Sequence, residues 1–212
     1  MTPSLKVVVA ITSPIAFQKL KNESILQTCL ETSRAFISKY GSSAHLAIAG
    51  TKESLAQVAD LDCEKIQCDP NTPEEFGQSL RNALPAELVM IHDSQRALTK
   101  ITQFDRVLEA LSSSIDAVRP VSAFTETLKS INANQFIEGT IDRNSMKRVS
   151  TPELIRFSAI DFTGGESTWF VPIKAGAKIS TVEAEAESAR INSEKEMYTY
   201  ISLFLLTNKQ LI

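Results

Sequence analysis

Residues that could do chemistry follow directly on an apolar run near the middle of the chain. The run from Leu88 to His92 shows no polar alternation, which indicates a strand buried on both faces. Asp93 ends the run, and Arg96 follows in the next turn. Ligands of open α/β sheets bind just beyond the carboxyl ends of strands, so we take Asp93 and Arg96 as the centre of a candidate site. The alternative is that the pair solvates a strand end and caps the next helix.

Composition sets the class of protein and argues against several kinds of site. A chain of 212 residues with 43% hydrophobic content can form one domain, residues 1–212, with a proper core. The net charge of -3 and the lack of a Lys/Arg-rich run argue against a nucleic-acid partner. Three cysteines without CxxC spacing and two histidines argue against a zinc site or a disulfide framework. No signal-like or membrane-spanning run is present, so we expect a cytoplasmic protein without a membrane partner.

Strand and helix patterns alternate along the first part of the chain. Apolar runs predict strands at residues 6–11, 45–49, 65–68, 88–92 and about 117–118. Apolar residues at helical spacing predict helices at about 22–40 and 102–111, and N-terminal capping residues predict helices at about 51–59 and 73–83. This alternation is typical of parallel βαβ units with right-handed crossovers, and it predicts an α/β fold.

The pattern changes near residue 122. Two extended segments, 125–132 and 135–141, meet at a hairpin-like turn at 132–134, which predicts a β-arm over about 122–147. A two-stranded arm buries little by itself, so we expect it to pack on a second subunit. Helix N-termini are predicted at two capping boxes, Thr72–Glu75 and Ser193–Glu196, and at a hydroxyl-proline-acid sequence, Thr151–Glu153.

Several motifs, taken in order, resemble the methylerythritol phosphate cytidylyltransferase family. The family's HDAARP, DTIK, TVDR and TPQ motifs are matched by His92–Arg96, Glu126–Lys129, Thr140–Arg143 and Thr151–Glu153. Two further segments, Ser79–Leu84 and Ala189–Glu194, are similar to the family's SV-x-NGL helix and to a lysine-containing segment near its end. The resemblance spans nearly the whole chain.

The resemblance implies a fold and a reaction. The fold is a Rossmann-like, mostly parallel sheet flanked by helices, as in nucleotide-diphospho-sugar transferases, with a projecting β-arm. The reaction is the transfer of a cytidylyl group from CTP to a sugar-alcohol phosphate, methylerythritol phosphate, with release of pyrophosphate, in isoprenoid biosynthesis. A magnesium ion is expected near the triphosphate. The arm implies a homodimer.

The resemblance also implies roles for single residues. Asp93, Arg96 and Arg190 are the expected catalytic residues, with Asp93 touching the acceptor or the metal and Arg190 standing where the family has a lysine. The acceptor phosphate is expected to be held by three residues, and one serine is expected to contact the nucleotide. These four are Thr127, Arg143 and Thr151 for the acceptor, and Ser79 for the nucleotide.

The nucleotide half departs from the family. The family's first strand runs into a glycine-rich loop, approximately AAGxGxRM, because backbone N–H groups reach a phosphate only where side chains are absent. Val9–Ile15 contains no glycine and no cation. Two interpretations stay open: an active cytidylyltransferase in which Lys19, Lys21 or Arg81 replaces the lost charge, or a catalytically silent paralogue that acts as a binding or regulatory subunit. Two side chains, Trp169 and Phe170, either line a pocket or pack in the core.

Overall fold

An eight-stranded mixed sheet forms the centre of the fold in a computed structural model, which describes residues 2–20 and 22–208 and side chains as far as residue 202. Lys21 lies outside the described residues. The strands are β1 (Leu5–Ala10), β2 (Ala44–Gly50), β3 (Glu64–Gln67), β4 (Leu88–Asp93), β5 (Ala117–Ala123), β6 (Leu128–Ile131), β7 (Ile137–Ile141), β8 (Lys147–Val149), β9 (Glu153–Arg156) and β10 (Ile179–Glu183). The helices are α1 (Ile25–Tyr40), α2 (Lys52–Ala56), α3 (Pro73–Asn82), α4 (Ile101–Glu109) and α5 (Glu194–Asn208).

The sheet confirms the predicted α/β class. Its strand order is β10-β5-β9-β4-β1-β2-β3, with β8 paired to the far end of β5. The neighbours β1, β2, β3 and β4 are parallel, as are β5 and β10. The exceptions are β8 and β9, which run antiparallel to their partners. This order places β1 and β4 side by side at the middle of the sheet.

Both faces of β1 and β4 are covered by helices, which is why every residue of these strands is buried. On one face Val7 and Met90 pack with Phe36 of α1 and Phe104 of α4. On the other face the alternate residues of both strands pack against α3. Burial of both faces explains the lack of polar alternation in the two strands.

The segment after Thr151 is a strand, whereas its sequence pattern predicts a helix start. The Thr151–Pro152 peptide bond is cis, and Glu153 begins β9, which pairs with β4 on one side and β5 on the other. Pairing on both sides satisfies the backbone of this segment, and this outweighs the local hydroxyl-proline-acid pattern. The prediction of a helix here is wrong.

The predicted capping box at the start of α3 does not form either. The Thr72 side chain makes no capping hydrogen bond, and the Glu75 carboxylate accepts instead from the backbone N–H of Asp69, at 3.0 Å. The helix itself is present, because Pro73 at its first turn fixes a helical φ. At the start of α5 the Ser193 hydroxyl accepts from the N–H of Glu196, at 3.2 Å.

The β-arm is present as a separate two-stranded sheet formed by β6 and β7. Phe136 and Ile137 at its tip are 68% and 67% exposed. None of the helices in the described part of the chain has the length and apolar character needed to span a membrane.

Candidate functional site

The candidate site is built around Asp93, at the carboxyl end of β4. Ala10 at the end of β1 pairs with Asp93, so Thr12, two residues later, lies beside it. The Thr12 hydroxyl is 3.0 Å from Asp93 Oδ1, which also accepts from the backbone N–H of Gln95, at 3.0 Å. One oxygen of the buried Asp93 carboxylate, Oδ1, is therefore fixed by Thr12 and by the turn after β4.

Arg190 completes the binding of this carboxylate. Its Nε donates to Asp93 Oδ2 at 2.6 Å, and its Nη2 donates to Gln95 Oε1 at 2.6 Å and to the Thr12 hydroxyl at 3.0 Å. Its Nη1 donates to Asn192 Oδ1 at 2.6 Å. Four hydrogen bonds occupy four of the five N–H groups of a guanidinium, so one N–H of Arg190 is left over.

Arg96 is held differently, by neutral groups only. Its Nη1 donates to the carbonyl of Ser188 at 2.6 Å and its Nη2 to the carbonyl of Val149 at 3.1 Å, while its buried Nε has no partner among the described residues. Burial lowers the pKa of Arg96, and the nearby Asp93 charge raises it again. Arg96 therefore offers a positive charge that no carboxylate within salt-bridge distance neutralises in the described chain.

Thr151 lies beneath the site and supports the end of β4. Its hydroxyl accepts from the backbone N–H of Asp93 at 3.1 Å and hydrogen-bonds with His92 Nδ1 at 2.9 Å. His92 is fully buried, and desolvation lowers its pKa to about 3. His92 faces the core, where its ring meets Phe104. In this arrangement the Thr151 hydroxyl, predicted to hold the acceptor phosphate, forms hydrogen bonds within the protein.

A buried arginine on β5 lies next to the site, although it belongs to none of the sequence motifs. Arg119 is 8% exposed, forms an ion pair with the buried carboxylate of Glu153, and stacks on Trp169 with 4.2 Å between its guanidinium carbon and the ring centre. Burial lowers its pKa to about 10, followed by repulsion from Arg96. The sequence signal for this pair is a charged residue next to apolar residues in each of two strands, Arg119 in β5 and Glu153 in β9, because a buried charge needs a partner.

Two cavities meet at these residues. One, of about 280 Å³, is lined by the ends of β1 and β4 and by Arg119, Trp169 and Phe170. The other, of about 780 Å³, lies between the base of the arm and the start of α5. The two share a wall, formed by Arg96, Val149, Ser150 and Arg190. Trp169 and Phe170 thus border a cavity as well as the core.

Several predicted site residues lie away from both cavities in this chain. Thr127 and Arg143 are exposed on the arm, where Arg143 Nη1 donates to the carbonyl of Thr125 at 2.6 Å. The Ser79 hydroxyl donates to the carbonyl of Gln67 at 3.3 Å. The suggested replacement cations also lie elsewhere: Arg81 packs over the Phe162 ring and Lys19 is exposed.

The described side chains alone do not form a magnesium site. Magnesium requires near-octahedral oxygen coordination, and the resemblance implies Asp93 as its ligand. Both Asp93 oxygens already accept hydrogen bonds, and the Arg190 cation is 2.6 Å from one of them. Within residues 2–20 and 22–202 no group of three or more His, Cys, Asp or Glu side chains is arranged to hold a metal.

Known proteins resemble this chain in sequence and in fold. A 2-C-methyl-D-erythritol 4-phosphate cytidylyltransferase of Rhodococcus jostii (strain RHA1) is 29% identical over 157 residues, which is 59% of this chain and 69% of that protein. A bifunctional IspD/IspF enzyme of Rhodopseudomonas palustris (strain TIE-1) is 26% identical over 53% of this chain, but the match spans only 31% of its length. The crystal structure of a 4-diphosphocytidyl-2C-methyl-D-erythritol synthase from Anaerococcus prevotii DSM 20548 covers 97% of this chain and 100% of its own, with a TM-score of 0.77 and 15% identity.

The model of one protein family matches residues 9–168, well over half of the chain. Its description is IspD: 2-C-methyl-D-erythritol 4-phosphate cytidylyltransferase. The match begins in β1 and includes Asp93, Arg96 and the arm. The chain therefore belongs to the 2-C-methyl-D-erythritol 4-phosphate cytidylyltransferase (IspD) family.

Proposed function

We propose that the protein is a cytidylyltransferase that joins CTP to methylerythritol phosphate and releases pyrophosphate. The family model and the Rhodococcus jostii relative both carry the name of this activity. The observation that carries the proposal is the wall that two adjoining cavities share, with the guanidiniums of Arg96 and Arg190 in it. A transferase needs neighbouring spaces for two substrates, and a nucleotidyl transferase needs cations between them.

The reaction brings two anions together. A phosphate oxygen of the acceptor attacks the α-phosphorus of CTP, a new P–O bond forms, and the bond to the bridging oxygen breaks to release pyrophosphate. Such transfers depend on alignment and on cations that spread the negative charge. Arg96 supplies a positive charge with neutral partners only, and Arg190 supplies a second one that Asp93 holds in place.

The arm completes the site in this proposal. It packs on a second copy of the chain and brings Thr127 and Arg143 to the acceptor phosphate in the partner's larger cavity. Both side chains are exposed on a hairpin whose tip carries two exposed apolar residues. A hairpin of this kind gains stability from a partner surface.

A second candidate function is a binding or regulatory subunit without turnover. The turn after β1, Pro14–Phe17, is a short 3₁₀ helix capped by the Ser13 hydroxyl, and it contains no glycine that lets backbone N–H groups approach a triphosphate. The hydrogen bonds of Arg190 to its own chain favour the same interpretation. This subunit keeps a sugar-phosphate pocket and loses the nucleotide.

Pyrophosphate release distinguishes the two. Purified protein is incubated with CTP, Mg²⁺ and methylerythritol phosphate, and pyrophosphate is followed by a coupled assay. We expect release by the natural sequence and a loss of kcat/KM of about 100-fold or more in Arg96→Met, since a cation facing the transferred group is removed.

The matched control is Arg34→Met, an exposed arginine on α1, which leaves kcat/KM unchanged. The transferase proposal fails if no pyrophosphate is released and calorimetry detects no CTP binding. In that case a rise in melting temperature with methylerythritol phosphate alone supports the subunit function.

A further inference from the structure

Gln95, inside the His92–Arg96 motif, contacts several residues of the site. It lies in the turn after β4, is 1% exposed, and contacts all the main parts of the Asp93 network. Its backbone N–H donates to Asp93 Oδ1, and its Oε1 accepts from Arg190 Nη2 and lies 2.9 Å from the Thr12 hydroxyl.

The other end of the same amide holds the chain on which Arg190 stands. The side-chain Nε2 of Gln95 donates to the backbone carbonyl of Ile191 at 2.5 Å. The backbone carbonyl of Gln95 accepts from the backbone N–H of Ile191 at 2.9 Å. Ile191 is itself buried in the core. Gln95 therefore fixes both the backbone next to Arg190 and the guanidinium at the end of its side chain.

Few side chains could do both. An amide carries an acceptor oxygen and a donor nitrogen on one rigid group, so it can accept from a guanidinium and donate to a carbonyl at once. A glutamate keeps the acceptor and loses the donor, while a methionine of similar length loses both. These differences allow the two contacts of Gln95 to be separated by substitution.

We propose that Gln95 is a positioning residue whose side-chain oxygen holds the Arg190 guanidinium in the wall between the two cavities. The consequence for catalysis rests on the proposed function: stabilisation of the transition state by Arg190 then depends on Gln95. A cation fixed before the reaction stabilises developing charge without reorganisation, and a loose one does not. Gln95 acts through Arg190 and touches no substrate.

The first experiment measures Arg190 itself and needs no activity. Phenylglyoxal reacts with the terminal nitrogens of arginine, and peptide mass mapping gives the rate at each residue. We expect Gln95→Met to raise the rate at Arg190 about tenfold, because Nη2 loses a close acceptor, while the exposed Arg34 reacts at an unchanged rate.

Gln95→Glu is the matched variant. It retains an acceptor for Arg190, so modification at Arg190 stays as slow as in the natural sequence. Fast modification in both variants overturns the proposal, because it assigns the effect to the lost bond with Ile191. Slow modification in both also overturns it. If Gln95→Met unfolds, judged by its melting curve, Gln95→Ala replaces it in the comparison.

The second experiment uses pyrophosphate release. We expect Gln95→Met to lower kcat about tenfold with KM for CTP within about twofold, and to change kcat by less than about twofold when Arg190→Met is already present. Independent losses in the two backgrounds overturn the positioning role. If the natural sequence releases no pyrophosphate, the proposed function fails, and the modification rates still decide the position of Arg190.

Discussion

At the scale of single residues, His92 shows how the site depends on a buried neutral group. Its Nδ1 hydrogen-bonds with Thr151, whose hydroxyl supports the backbone of Asp93. Desolvation is the main reason that the pKa of His92 falls from 6.5 to about 3. A proton on this ring places a charge in the core directly below the site.

Stability should therefore fall in mild acid. The unfolded chain binds a proton at His92 near pH 6.5 and the folded chain only near pH 3, so stability is full above about pH 6.5 and is lost as the pH falls toward 3. Between pH 7 and pH 5 this group accounts for roughly 2 kcal/mol of the free energy of unfolding. Urea denaturation should show that His92→Gln removes this pH dependence.

The other histidine gives the control for this measurement. His45 also has a lowered pKa, mainly through desolvation, but its side chain is about one third exposed. His45→Gln should change the pH dependence less than His92→Gln. Equal effects of the two substitutions would contradict the assignment to the buried ring.

The buried ion pair of Arg119 and Glu153, beside the small cavity, should make a large contribution to the free energy of unfolding. Removing one partner leaves the other charge buried without compensation, which costs about 3 to 5 kcal/mol. We expect Glu153→Leu to lower the free energy of unfolding by this amount in urea titrations. Replacing both partners, as in Arg119→Met with Glu153→Leu, should restore most of it. A double variant as unstable as the single one would show that packing, and not the unpaired charge, sets the cost.

At the scale of elements, local patterns give the helices well and their caps less well. The capping box of α1 is formed by Ser24 and Gln27, whose side chains each accept from the other's backbone N–H, at 3.1 and 2.8 Å. The predicted box at Thr72 is absent: the Thr72 hydroxyl makes no capping bond, and Glu75 accepts from Asp69, in the turn just before the helix. A box of three or four residues is a weak signal wherever a neighbouring segment offers its own donor.

The two caps make a direct comparison. Ser24→Ala should lower the free energy of unfolding by about 1 kcal/mol, since it removes an N-cap acceptor. Thr72→Ala should cost at most a few tenths of a kcal/mol, since its hydroxyl makes no capping bond. Chemical denaturation of both variants measures the difference, and a larger loss in Thr72→Ala would contradict the observed caps.

Strand β9 marks the limit of prediction at this scale. It begins at Glu153, directly after Thr151 and Pro152, and these three residues together favour a helix start. The segment becomes a strand because it fills the gap between β4 and β5, which are brought together by the rest of the fold. Information of this kind lies in tertiary pairing and not in local pattern.

At the scale of the whole molecule, the alternation of strands and helices predicts the α/β sheet, because each βαβ unit carries its own periodicity. The site is predictable in part. Asp93, Arg96 and Arg190 stand out as charged residues in motifs, and the structure brings them together. Gln95 lies in the same motif as Asp93 and Arg96, but its contacts, like those of Arg119, are with distant residues, which no short pattern records.

The arm should determine the oligomeric state. In the proposed dimer Phe136 at its tip is buried against the second copy, and a charge there opposes association. We expect the natural sequence to sediment as a dimer and Phe136→Asp as a monomer in analytical ultracentrifugation. The control is Leu84→Asp, which places the same charge at a residue 62% exposed outside the arm.

A natural sequence that is monomeric at all concentrations would end the dimer proposal. A dimeric Phe136→Asp would move the interface away from the arm tip.

The bond between Arg190 and Thr12 joins residues 178 positions apart, and this has a consequence for the order of folding. Contacts between such distant residues form late, because a long loop must close before they are made. During synthesis β1 and β4 leave the ribosome before Arg190 does. Asp93 therefore has no ion-pair partner until the segment that contains Arg190 packs against the sheet. We therefore expect the ion pair of Asp93 and Arg190 to form after the strands at the centre of the sheet.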